Sequence, residues 1–424
     1  MEKSLKVLAV STSDIYGGAA RAAFRIHQGV RLLNIDSRML VKNKYSTNND
    51  VYDLDDFVNK NSFFKILTYI QNKLKNKIQH YNWKKYPDRE NVFLSDLRSI
   101  SLNGALQKIE FDLLHLHWIN LRFLNLNELR RINKPIIWTL HDSWAFTGVC
   151  HYTYDCDNYL QECGNCPFLH SDKKTDLSRK IWMQKKKIYK HLNLHIVTPS
   201  QWLADCVAKS SLLKGFPVTV IPNCLDVEIY SPGDKHIACI NLGLDSSKKI
   251  ILFGAVNPTD DKNKGFKKLL EVIQYLENCN KENITIAVFG KEKPIENTFS
   301  KIPIHYLGYL NTDVSIVQAY RAADVMVVPS LSEVFGQTAS EAMACGTPVV
   351  AFNCTGIKEV VEHKKTGYLA EPFNTMDFAT GIIWCLEHNV DRVLSKAARM
   401  KVETKFGIDK IIPKYIEIYE KLIY

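Results

Sequence analysis

No stretch of this 424-residue chain approaches the roughly 18 uninterrupted apolar residues that a membrane-spanning helix requires. The opening Met1-Glu2-Lys3-Ser4 leads into a strand pattern rather than the apolar core of a signal peptide, so the expected location is the cytosol. Proline, glycine and serine are nowhere concentrated enough to mark a long disordered linker. Eleven cysteines, an odd number in a chain without an export signal, argue against a disulfide framework. The first strand–helix junction lacks a full Gly-x-Gly-x-x-Gly, and acidic residues are missing throughout Phe57 to Pro87.

That acid-free stretch carries Lys60, Lys65, Lys73, Lys75, Lys77, Lys84 and Lys85 among apolar residues, in a chain of formal net charge +10. Phe63, Leu67, Ile70, Leu74, Ile78 and Tyr81 keep helical spacing, which predicts a basic amphipathic helix. Such a helix suits an anionic membrane surface, with peripheral attachment to the inner face of the cytoplasmic membrane as the expectation, or packs on its own domain with lysines in solvent. The lysine-rich stretches form no recognisable nucleic-acid module, so no nucleic-acid partner is expected.

The length suggests two domains, and two α/β patterns are present. The first opens with a strand from Leu5 to Ser11, a loop over Thr12 to Tyr16, then Gly17-Gly18 and a helix to Leu33. Glycines at a helix start let an anion approach backbone N–H groups where the helix dipole favours it, and they equally permit close helix–sheet packing. Asp112 to His117 and Pro135 to Leu140 read as buried parallel strands; the second ends in His141-Asp142, which puts His141 at the carboxyl edge of the sheet. His115 and His117 read as core or edge residues, with an acceptor role open for His117. The second pattern runs through Lys249–Gly254, Ile284–Phe289, Ile304–Leu307 and Asp324–Val328, with helices between.

Asp324–Val328 runs into the most informative segment, Pro329-Ser330-Leu331-Ser332-Glu333-Val334-Phe335-Gly336-Gln337-Thr338-Ala339-Ser340-Glu341. Glu333 and Glu341 frame a strand–loop–helix junction, the place where open α/β sheets bind nucleotides. On spacing alone the two carboxylates are equally a helix cap and an exposed helical residue. The segment resembles the Glu-x7-Glu signature of the family 4 retaining glycosyltransferases of the GT-B fold. Gly356-Ile357-Lys358-Glu359-Val360-Val361 and Thr366-Gly367-Tyr368-Leu369 match the family's downstream pattern, and the Thr139-Leu140-His141-Asp142 run matches its Thr-x-His-Asp.

The resemblance implies an α/β GT-B architecture: two Rossmann-like domains facing across a cleft, and a C-terminal helix crossing back to the first. The expected divisions are 1–215, acceptor-binding; 216–397, binding the nucleotide sugar; and 398–424, helical. It implies transfer of a sugar from a UDP- or GDP-sugar, with retention, onto a saccharide or lipid-linked glycan of a surface polysaccharide. Glu333 and His141 would be catalytic. Glu341, Lys264, Gly17, Gly18 and the backbone of Val334, Phe335 and Gly336 would bind the donor, Lys264 as the diphosphate lysine. An arginine usual in the family is replaced within Gly254-Ala255-Val256-Asn257, leaving Arg21, Lys262 or backbone N–H groups to supply the second charge. Cys224 likewise stands where a glycine is usual, in Ile221-Pro222-Asn223-Cys224. Asp155-Cys156-Asp157 and Asp53-Leu54-Asp55 imitate a metal signature of another glycosyltransferase fold out of context, so no catalytic cofactor is expected. Relatives of the fold also act as phosphorylases or sugar-nucleotide epimerases, and a non-catalytic scaffold is the alternative from another class.

Cys150, Cys156, Cys163 and Cys166 cluster beside His151. The Cys163-x-x-Cys166 pair suits a metal gripped from a turn, and Cys150 and Cys156 would complete a tetrahedral structural zinc site. The other reading is a loop of reduced thiols packed beside Tyr152, Tyr154 and Tyr159.

Overall fold

A computed structural model describes residues 5–57, 84–90, 101–121, 123–254, 257, 261–279, 283–291 and 300–424. The basic stretch from Phe63 to Tyr81 lies outside the described residues, as do Ala255 and Val256. The chain forms two compact units, Met1–Ile221 with Lys414–Tyr424, and Pro222–Pro413.

Among the described residues the first unit is built on seven parallel strands: β1 (Lys6–Ser13), β2 (Asp36–Asn43), β3 (Val51–Asp53), β4 (Leu113–Leu116), β5 (Ile136–Thr139), β6 (Leu194–Thr198) and β7 (Val218–Val220). Their order is β3-β2-β1-β4-β5-β6-β7, so the winding reverses between β1 and β4. β4 and β5 are wholly buried, as their unbroken apolar runs predict for parallel strands covered on both faces. The helix Gly18–Leu32 follows β1 and sets Ala22, Ala23, Ile26 and Val30 against the sheet at helical spacing.

Among its described residues the second unit has six parallel strands: β8 (Lys249–Gly254), β9 (Ile284–Phe289), β10 (Ile304–Tyr306), β11 (Val325–Val328), β12 (Val349–Phe352) and β13 (Gly367–Ala370). They lie in the order β10-β9-β8-β11-β12-β13. Alternate residues of each strand serve opposite cores. Ile250, Leu252, Met326 and Val328 pack with Ala339, Ala342 and Met343 of the helix Gln337–Ala344. Ile251, Phe253, Val325 and Val327 pack with Leu269, Val272 and Ile273 of the helix Phe266–Asn278. Two-residue periodicity within continuous hydrophobicity is what a doubly covered sheet requires.

The compact units divide at 221/222 rather than at 215/216, because Val218–Val220 pairs with β6 and completes the first sheet. The helix Val393–Lys405 belongs to the second unit, where Ala398 and Val402 join the core. Only Lys414–Tyr424 groups with the first unit, in place of all of 398–424. There Tyr419 reaches His115 Nδ1 at 2.7 Å, and His115 Nε2 meets Thr139 Oγ1 at 2.8 Å, making His115 a core residue.

Candidate functional site

In the second sheet the winding reverses between β8 and β11, and such switch points open a crevice beyond the carboxyl ends of the strands. The segment Lys262–Gly265, after β8, and the loop Pro329–Gly336, after β11, meet there. Leu331 N–H donates to the Asn263 carbonyl at 2.9 Å, and Asn263 Nδ2 donates to the Ser332 carbonyl at 2.8 Å. Gly265 has φ +72°, and a Cβ on it would stand 1.9 Å from the Pro329 carbonyl oxygen, so only glycine permits this approach.

The approach places Lys264 Nζ 2.7 Å from Glu333 Oε1, with both side chains mostly covered. The Glu333 backbone is fixed from the turn after β12: its N–H donates to Thr355 Oγ1 at 3.0 Å, and its carbonyl accepts from Gly356 N–H at 2.8 Å. Two residues predicted separately are thus one ion pair on a rigid mount.

Gly336, at φ +95°, turns the loop into the helix Gln337–Ala344. The small buried residues Ala339, Ser340, Ala342 and Ala344 let this helix lie close on the sheet. Phe335 is buried edge-to-face against Phe406, so its side chain anchors the loop and only its main chain is available to a ligand. Glu341 is 5% exposed, and its Oε2 accepts from the Tyr320 hydroxyl at 2.9 Å. Burial, reinforced by the Glu341 charge, pushes the Tyr320 phenol well up, so it remains a donor. Nothing in the sequence marks Tyr320, 21 residues upstream, as the partner. Cys224 is buried and outside the left-handed region, so the missing glycine leaves no strain.

In the first unit the switch between β1 and β4 gathers three loops. Thr12 N–H donates to the Trp118 carbonyl at 2.7 Å and Thr12 Oγ1 to the Asn120 carbonyl at 2.8 Å, tying the loop after β1 to that after β4. Gly17, at φ +93°, precedes Gly18 at the start of its helix, and nothing lies within 4 Å of where its Cβ would be. Asp14, fully buried, accepts from the N–H groups of Tyr45 and Ser46. His141, after β5, has Nε2 3.2 Å from His117 Nδ1. Burial lowers the His141 imidazole to about 4 and also holds His117 well below its ordinary value, so both are neutral near pH 7.

Asp142 is the more connected residue of the pair. Its carboxylate accepts from Trp118 Nε1 at 2.6 Å and Trp144 N–H at 2.8 Å, and stands 2.5 Å from His151 Nδ1. Burial opposes ionisation of Asp142, but His151 and these N–H donors outweigh it and hold the carboxyl below its ordinary value. His117, Trp118, Asn120, His141, Asp142 and Trp144 line one small cavity, and among the described residues the buried atoms His117 Nε2, Asn120 Oδ1 and Trp144 Nε1 have no hydrogen-bond partner. Such a lining suits hydroxyl groups or water.

The four clustered cysteines also come together: Cys150, Cys156, Cys163 and Cys166 line a single cavity with Tyr159 and Phe168. Among the described residues no group of three or more His, Cys, Asp or Glu side chains is already arranged to hold a metal ion. The Cys150 thiol donates to Cys166, which raises the first and lowers the second, and burial pushes Cys163 up to about 12.

Residues 241–404 match the family model "Glycosyl transferases group 1", and residues 71–229 match "Glycosyltransferase Family 4". WcaC of Escherichia coli K12, named for glycosyl transfer in colanic acid biosynthesis, is 26% identical over 62% of this chain and 64% of its own length. Sucrose-phosphate synthase from Thermosynechococcus elongatus has a TM-score of 0.67 at 17% identity, covering 99% of both chains. HepE of Anabaena, solved in complex with UDP-glucose, has a TM-score of 0.63 at 19% identity, covering 99% of this chain and all of the other. With its two Rossmann-like parallel sheets, the chain belongs to the family 4, group 1 glycosyltransferases of the GT-B fold.

Proposed function

We propose that the protein transfers a hexose from a uridine diphosphate sugar onto a hydroxyl of a saccharide or lipid-linked glycan during synthesis of a surface polysaccharide, retaining anomeric configuration. The observation that carries the reading is the Lys264–Glu333 pair at the switch point of the second sheet. A cation beside a carboxylate offers one group for the departing diphosphate and one for the sugar whose bond is breaking. Glu341, buried and oriented by Tyr320, is suited to the donor ribose through its acceptor oxygens. The backbone of Val334 to Gly336, leading into the next helix, adds the N-terminal dipole on the phosphate side. His141, neutral at working pH, can offer a hydrogen bond without adding a charge.

In this reading the acceptor hydroxyl attacks the anomeric carbon from the face the diphosphate leaves. The C–O bond to phosphate breaks, and a departing phosphate oxygen takes the hydroxyl proton. No side-chain nucleophile is needed, and Glu333 holds the sugar while positive charge develops. The UDP-glucose bound to HepE supports a uridine donor, and the colanic acid name of WcaC supports a polysaccharide acceptor.

Thermal stabilisation by UDP, GDP, ADP and their sugar conjugates tests the reading. A ligand at 100 times its dissociation constant adds about 2.7 kcal/mol, so the donor stands out. Stabilisation by uridine nucleotides, lost in Glu341→Ala, is the expected result; indifference to every nucleotide would overturn it.

A further inference from the structure

Between β5 and the helix Leu177–Tyr189 runs a connection of more than 35 residues whose only regular structure is three short 3-10 turns. Loops of that length are uncommon in compact domains. This one is nevertheless buried: Trp144, Phe146, Val149, Tyr159 and Leu169 are core residues. Hydrophobic burial without a regular hydrogen-bond ladder calls for another source of order, and all four cysteines of the cavity sit on this loop, Cys150, Cys163 and Cys166 themselves buried.

The sulfurs are met by backbone donors. Gly148 N–H lies 3.1 Å from Cys163 Sγ, Asn158 N–H is directed at Cys156, and the N–H groups of Phe168 and Leu169 at Cys166. N–H groups aimed at sulfur disperse negative charge on a thiolate, the role of the outer shell of a metal site. A buried lysine also ties this loop to the helix that follows it. Lys185 is 1% exposed, donates to the Trp144 and Thr147 carbonyls, and lies 3.6 Å over the Trp144 ring.

We propose that Cys150, Cys156, Cys163 and Cys166 bind one structural zinc ion that fixes this loop. On binding, the thiols turn toward the ion, each proton they carry goes to solvent, and the thiol contact between Cys150 and Cys166 gives way to Zn–S bonds. The loop carries the effect to the neighbouring site: His151 directly follows Cys150, stands 2.5 Å from Asp142, and its carbonyl accepts from Ser143 N–H at 3.0 Å. The zinc therefore positions the Asp142–His151 pair next to His141 and takes no part in sugar transfer.

The test is metal analysis of the full chain purified without a metal-affinity tag, with cobalt(II) reconstitution of chelator-treated protein. The expected result is about one zinc per chain, with thiolate-to-cobalt charge-transfer absorption on reconstitution. Cys163→Ser/Cys166→Ser should lose both, and Cys385→Ser, a buried cysteine of the second unit, should keep both. Less than a tenth of a zinc per chain without the cobalt band would overturn the proposal, even if the double variant fails to fold. A Cys150–Cys166 disulfide found by mass spectrometry in the freshly purified protein would overturn it too.

Discussion

Lys264 and Glu333 neutralise each other across 69 residues of sequence, and in the proposed function each meets a different part of the donor. Glu333→Gln keeps the shape and removes the charge, so turnover should fall by two or more orders of magnitude with little change in melting temperature. Lys264→Ala should weaken the nucleotide diphosphate far more than the nucleoside, which calorimetry with UDP and uridine would show. Tyr320→Phe deletes the hydroxyl that donates to buried Glu341. Stability should drop by about 1–3 kcal/mol, and donor affinity should fall with catalysis from the bound complex nearly intact, a pattern read from donor titrations.

Among elements, the strands and helices around the first switch point enclose several imidazoles. Burial holds His27 and His115 down to about 3 and His141 to about 4, against an ordinary 6.5. Unfolding lets these residues take up protons below pH 6.5. Stability should therefore be full above that value and decline as pH falls toward 4, by about 1.4 kcal/mol per pH unit for each histidine. Melting curves across pH 7.5 to 4.5 would show it, and His27→Gln, which removes one titrating group from the helix Gly18–Leu32, should flatten the slope. A slope unaffected by that substitution would reject the assignment. Most elements could be read from the sequence, because strands covered on both faces leave unbroken apolar runs and the Glu333–Glu341 spacing needs only one loop and one helix. The Lys264–Glu333 contact could not, since it depends on β8 and β11 being neighbours in the sheet. Tyr320 with Glu341, and Trp118 with Asp142 and His151, escaped for the same reason. The loop after β5 has no periodicity, and only its cysteines drew attention to it.

For the molecule as a whole, the two units divide the proposed chemistry, with the diphosphate contacts in Pro222–Pro413. A saturating uridine nucleotide should slow amide exchange at 262–265 and 331–341 more than anywhere in the first sheet. Protection centred instead on the Gly17 turn would assign the donor to the other unit.

In Pro222–Pro413 the incoming and outgoing chains are stitched together: Leu225 N–H donates to the Phe406 carbonyl at 2.8 Å, and Ile408 N–H donates to the Leu225 carbonyl at 3.1 Å. The polypeptide leaves the second unit almost where it entered. Topologically this unit is a closed insert, its ends already joined by hydrogen bonds, a geometry that domain insertion tolerates well. Residues 222–413 expressed alone should fold and bind the nucleotide without transferring sugar. On the proposed reading such an insert would be exchangeable: replacing this one cassette would change the donor and leave the loops of the first sheet as they are.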